Sequence, residues 1–95
     1  VRFGLPIIGI VGNDAAWGQM MRPQGAMYGW DRLEGVLLNR TRYDKVVEVL
    51  GGHGEHVTEP DQLRPAFERA KASGLPALIN VEIRQDREYS GGIYV

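Results

Sequence analysis

At 95 residues the chain has room for one small domain or a piece of a larger one, and its 43% hydrophobic content can supply a core of modest stability. Its 11 basic and 12 acidic residues nearly cancel to a net charge of −1, which argues against a nucleic-acid partner. There is no Cys, so a disulfide framework and a thiolate metal site are excluded and a cytoplasmic setting fits; no apolar run approaches the length of a membrane span.

The opening Val1-Arg2-Phe3-Gly4 is no signal peptide and lacks an initiator Met, as expected for a part of a longer protein. Leu5 to Val11 is almost wholly apolar and rich in Ile and Val, the pattern of a strand buried on both faces of a parallel sheet. Gly12-Asn13-Asp14 ends it with turn residues. A helix is predicted to start within Ala15 to Met21, with Asn13 or Asp14 as N-cap and with Pro23 stopping or kinking it. Between residues 22 and 42, Gly25, Gly29 and Gly35 break any period, and Leu33 to Leu38 reads equally as a short helix or a strand.

Tyr43 to Leu50 keeps apolar positions at 43, 46, 47 and 50, the spacing of a helix face, and Gly51-Gly52 stops it. Glu55 to Val57 is a short strand candidate. Thr58-Glu59-Pro60-Asp61 opens the clearest helix, with Thr58 as N-cap, Pro60 early in the first turn and acidic residues at the positive end of the dipole. Pro65 fits only if it falls within the first turn or so. Leu63, Phe67 and Ala70 form the apolar stripe, and Lys71 to Gly74 ends the helix. Pro76 to Ile83 is a second strand with a strongly apolar first half, and residues 84–95 form a polar tail with a Gly91-Gly92 pair. The order predicts an α/β fold: a mainly parallel sheet flanked by helices, with right-handed crossovers, in a single partial domain over 1–95.

In such sheets ligands sit just past the carboxyl ends of strands. Asn13 lies there, and its amide oxygen is a neutral, hard donor suited to Mg²⁺ or Ca²⁺. The Ala15 carbonyl can add a second oxygen, and amides opening the next helix would favour a diphosphate. The plainer alternative is that Asn13 and Asp14 only cap a helix. Elsewhere the sequence offers structural uses. His53 and His56, with no acidic partner at ligand spacing, read as exposed or hydrogen-bonded side chains rather than bases or ligands. Trp17 and Trp30 read as buried against helices rather than stacked on a ligand. Met20, Met21 and Met27 either fill a core or line a flexible pocket. Arg22 reads as a surface residue rather than a partner for a substrate carboxylate or CoA phosphate. Glu55, Glu59 and Asp61 read as capping and solvating groups.

Leu5-Pro6-Ile7-Ile8-Gly9-Ile10-Val11-Gly12-Asn13-Asp14-Ala15-Ala16-Trp17-Gly18 resembles the second half of the thiamine-diphosphate motif. In that family a Gly-Asp-Gly triplet opens the motif. Some two dozen residues later it closes on an apolar strand followed by Asn-Asn or Gly-Asn. Tyr43 to Gly54 resembles the family's acidic residue, helix and Gly-Gly segment, and Thr58 to Val81 its final helix and strand. The likeness runs from residue 5 to about 83. It is nearest to the branch of acetolactate synthase, 2-hydroxyacyl-CoA lyase and oxalyl-CoA decarboxylase.

The resemblance implies thiamine diphosphate and Mg²⁺ as cofactors. Asn13 would ligate the metal through its side chain and Ala15 through its carbonyl. Ala16 and Trp17 would lie beside the diphosphate, and Gln19 and Met20 would approach the thiazolium and the substrate cleft. The parent would make or break a C–C bond next to a carbonyl, on a 2-oxo acid or acyl-CoA type substrate, as a homo-oligomer (dimer or tetramer) with the cofactor between subunits. Two parts of the pattern are not in this chain: the Gly-Asp-Gly triplet with its acidic metal ligand, and the Glu that activates the aminopyrimidine, which a partner subunit contributes. No catalytic residue is assigned here, and the isolated chain is expected to be inactive. A rival of another class is a small non-catalytic α/β binding module.

Overall fold

The computed structural model describes residues 1–87. In chain order the elements are β1 (Ile8–Asn13), α1 (Gly18–Tyr28), α2 (Tyr43–Val49), β2 (His53–Val57), α3 (Leu63–Ser73) and β3 (Ala77–Glu82), with a 3₁₀ turn at Pro60–Gln62 ahead of α3. The chain divides into two compact units, Val1–Asn13 with Arg42–Ile83, and Asp14–Thr41 with the segment that follows Ile83.

The first unit holds a three-stranded parallel sheet in the order β1-β3-β2. The chain crosses from β1 past the position of β3 to β2 and then comes back. Two right-handed crossovers run in opposite directions place their helices on opposite faces. The side chains agree. Successive strand residues point to alternate faces, and Val57, Ala77 and Ile79 pack with Ala66 and Ala70 of α3, Ile8 and Val81 joining at the margin. Asn80, one residue on from Ile79, meets Asp44 of α2 on the other face. The α3 face is thus an apolar core whose two alanines let the helix lie close to the sheet.

The α2 face is built differently, around three buried polar side chains, Asn13, Asp44 and Asn80. Buried polar groups must be paired, and these are. Asn80 Nδ2 donates to Asp44 Oδ1 at 3.3 Å, and Arg42 grips the same carboxylate through Nε at 3.0 Å and Nη2 at 2.8 Å. The Arg42 hydrogen bonds hold the Asp44 carboxyl down at about 2, against the opposing effect of its burial, with help from Asn80. The backbone is as close as the side chains: a Cβ at Gly54 of β2 would run into the Asp44 carbonyl, so only glycine lets α2 sit there.

Several expectations change in detail. The first strand starts at Ile8 and runs on through Asn13. Thr58 is not the cap of the second helical segment. Glu59 caps the 3₁₀ turn instead, in a box closed by Gln62, and α3 proper begins at Leu63, which leaves Pro65 in its first turn as required. α2 and α3 end at the glycines marked in the sequence.

In the second unit, α1 is capped by neither Asn13 nor Asp14. Its N-cap is Trp17, with no side-chain cap, and Pro23 stands inside the helix without ending it. Asp14 Oδ1 instead accepts the Ala16 N–H at 3.2 Å, a short turn that spends the side chain before the helix begins. Leu33 to Leu38 forms neither helix nor strand, only one antiparallel bridge from Leu37 to Ala16. Trp30 packs on Gly25 of α1 so tightly that a Cβ there would enter its ring, while Arg87 lies 5.2 Å from the ring centroid on the tryptophan. The polar tail is described as far as Arg87; its Gly91-Gly92 pair lies outside the described residues.

Two outcomes follow. Gly54→Ala forces α2 off the sheet and should cost about 1–3 kcal/mol in chemical denaturation, the usual range for overpacking. Asp44, whose folded-state pKa lies below the ordinary 3.8, contributes stability that is full above that value and is lost as the pH falls toward 2, at most about 2 kcal/mol. Acid denaturation should show this limb, and Arg42→Gln should flatten it while lowering stability at neutral pH.

Candidate functional site

β1 and β3 both end on polar residues, Asn13 and Glu82. Asn13 and Glu82, the last residues of the two strands, are register partners, and Ile83 N–H extends the ladder to the Asn13 carbonyl at 3.0 Å. Asn13 is 6% exposed and Nδ2 donates to Asn80 Oδ1 at 3.2 Å. From Arg42 the bonds therefore run through Asp44 and Asn80 to Asn13 without a break. Among the described residues no buried side-chain nitrogen or oxygen lacks a partner.

On the same face His56 Nε2 lies 3.0 Å from Glu82 Oε1, and on the opposite face His53 Nε2 lies 2.6 Å from Glu55 Oε2. Each histidine thus has an acidic partner, by strand pairing for one and by same-face spacing for the other. Glu55 is not a solvated cap. It takes three hydrogen bonds from Arg69, the shortest 2.8 Å, and these, then the bond to His53, hold its pKa below the usual carboxylate range. Both histidines read as hydrogen-bonded side chains of the sheet. Glu59 caps as expected, and Asp61 sits in the first turn it opens.

The remaining candidates belong to the second unit. Ala15 is buried with φ 57°, the left-handed region that a residue with a Cβ occupies only under constraint. Its carbonyl accepts the Leu38 N–H at 2.7 Å and Gln85 Nε2 at 3.3 Å. The Ala16 N–H is held by Asp14 and the Trp17 N–H by the Val36 carbonyl at 2.8 Å. The first amides left outside a helix's own ladder are those of its opening turn, here Gly18 and Gln19. No acidic residue stands in that turn. Trp17 and Met20 are 60% and 56% exposed, so Trp17, expected to be buried, is open to solvent, and Met27 is exposed too, whereas Met21 fills a core and Trp30 is half-buried. Arg22 Nε donates to the Asp86 carbonyl at 3.1 Å.

The donor set suits a hard cation in one respect and lacks it in another. Asn13 is an amide at a strand terminus, a neutral oxygen donor type, and its NH₂ donates to Asn80. No cluster of three His, Cys, Asp or Glu able to hold a metal exists among the described residues. Asp44 and Asn80 were not singled out in the sequence as partners of Asn13. The available signal was a lone amide, Asn80, in an otherwise apolar strand.

The chain matches the family model for the thiamine pyrophosphate enzyme C-terminal TPP binding domain over residues 1–81. A probable acetolactate synthase of Mycobacterium bovis is 49% identical over 81 residues, which cover 85% of this chain and 15% of that protein. A 2-hydroxyacyl-CoA lyase 2 of Caenorhabditis elegans is 43% identical over 100 residues, 99% of the chain and 15% of that protein, and its Danio rerio counterpart is 33% identical over 99 residues, covering 99% of the chain and 16% of that protein. The chain therefore spans about 15% of the length of the curated relatives it matches. With the family model covering residues 1–81 and a relative 49% identical over 85% of this chain, the chain belongs to the C-terminal thiamine pyrophosphate-binding domain family of thiamine pyrophosphate enzymes.

Proposed function

We propose that the chain is the carboxyl-terminal portion of the cofactor domain of a thiamine-diphosphate- and Mg²⁺-dependent enzyme that makes or breaks a C–C bond beside a carbonyl, acetolactate synthase-like, with a 2-oxo acid substrate. The observation that carries the reading is Asn13: it ends β1 where such sheets bind ligands, and α1 takes its cap elsewhere, so the helix-cap alternative for this residue fails. The likeness to acetolactate synthase favours a 2-oxo acid. The likeness to a 2-hydroxyacyl-CoA lyase along 99% of the chain keeps an acyl-CoA substrate as the second reading.

In this reading Asn13 would give Mg²⁺ a neutral side-chain oxygen and Ala15 its main-chain carbonyl. Ala16 and Trp17 would lie beside the diphosphate, with the amides of Gly18 and Gln19 opening α1 next to them. Gln19 and the exposed Met20 would approach the thiazolium and the substrate. When bound, thiamine diphosphate supplies the nucleophilic carbon and the electron sink for decarboxylation or C–C cleavage. The chain's part is to hold and orient it. An acidic metal ligand and a homo-oligomeric partner, from outside these residues, complete the site. A cytoplasmic setting belongs to the same proposal and rests on composition.

The whole protein carries the test. Asn13→Ala should weaken Mg²⁺-dependent thiamine diphosphate binding by tenfold or more, on the order seen when a metal site loses support, a larger loss than the one in stability of the cofactor-free protein, where Asn80 Oδ1 loses this donor. Equal loss of both would return Asn13 to a structural role. A Gly-Asp-Gly triplet some two dozen residues ahead of Asn13 is expected in the complete reading frame. Turnover of a 2-oxo acid against a 2-hydroxyacyl-CoA separates the two substrate readings. In calorimetry the isolated 95 residues should show no micromolar, Mg²⁺-dependent binding of the cofactor.

A further inference from the structure

We propose that Asp44 and Asn80 are positioning residues that turn the Asn13 amide oxygen-outward toward a divalent cation. The inference rests on the reading of Asn13 as a metal ligand and adds what makes it one.

The argument is one of hydrogen-bond polarity. An amide side chain has a donating end and an accepting end of nearly the same shape, and only its neighbours decide which points where. A guanidinium only donates. Arg42 meets Asp44 through two nitrogens at 3.0 and 2.8 Å, so both carboxylate oxygens act as acceptors. The Asn80 group 3.3 Å from Asp44 Oδ1 must then be its NH₂. That leaves Asn80 Oδ1 as the end turned to Asn13, so the Asn13 group 3.2 Å away must be its own NH₂. The Asn13 oxygen therefore points away from Asn80. The direction set at Arg42 passes through two buried side chains, Asp44 at 2% and Asn80 at 0% exposure, where water cannot reset it.

A metal takes the oxygen of an amide, not its NH₂. A flipped Asn13 would present a donor to the cation. Asp44→Asn removes the acceptor-only group and lets the chain run in either sense. Asn80→Leu removes the link itself while Arg42 still satisfies Asp44.

The test is a thermodynamic cycle in the whole protein, with Mg²⁺ titrated by calorimetry at saturating thiamine diphosphate and the thermal midpoint of the metal-free protein taken alongside. Asp44→Asn and Asn80→Leu should each weaken Mg²⁺ by about 10- to 100-fold. In an Asn13→Ala background neither should weaken it further, because a residue that acts through Asn13 has nothing left to orient. Wild-type affinity in both single variants overturns the proposal. So do fold-losses that multiply in the double variants, the mark of a general structural effect. If Asp44→Asn does not fold, Asn80→Leu runs the same cycle. An Asn13→Ala protein with unchanged Mg²⁺ affinity would instead overturn the ligand reading itself, and the relay with it.

Discussion

One ionised carboxylate organises the polar half of this fold. Asp44 is buried against the sheet, and such a charge is tolerated only when its oxygens are filled. Arg42 fills them from the residue before α2, and Asn80 from the central strand. Those bonds fix where α2 starts, and they account for Gly54, since the helix backbone that carries Asp44 lies on β2. The other face is apolar at its centre, where Ala66 and Ala70 dock α3 on Ala77 and Ile79, and Arg69 of α3 ties to Glu55 of β2 at its margin.

The two faces divide the labour of the domain. The centre of the α3 face is directionless: its apolar contacts depend on volume and would survive conservative repacking. The α2 face is directional, because every bond in it has a donor and an acceptor, and exchanging the two ends at one residue disturbs the next. A site that must present a particular atom to a ligand gains from standing at the end of the second kind of face.

Periodicity and punctuation made most of the architecture legible. Leu5 to Val11 and Pro76 to Ile83 read as strands because they are largely apolar, although the first, expected to be buried on both faces, leaves Ile10 exposed; α2 and α3 showed their stripes and their terminal glycines. The helix starts were less legible. Asn13, Asp14 and Thr58 are all good capping residues, yet Asp14 bonds to the Ala16 amide ahead of the helix, Asn13 turns to Asn80, and Gln62 closes on Thr58 and Glu59. A side chain with one preferred local use is diverted when a partner far along the chain competes for it. Asn13 stood out because it ends a strand. Asp44 and Asn80 did not, since 36 residues separate them and only the parallel register brings α2 over β3.

The position of β1 has a bearing on handling the chain. It is one of the two edges of the described sheet, and Ile10 within it and Ile7 just before it are 56% and 65% exposed. An uncovered apolar edge offers its free backbone groups as a template for another strand. Copies of the separate chain would then meet along β1 first, and a lysine at Ile10, facing outward on that edge, is the change that would keep them apart.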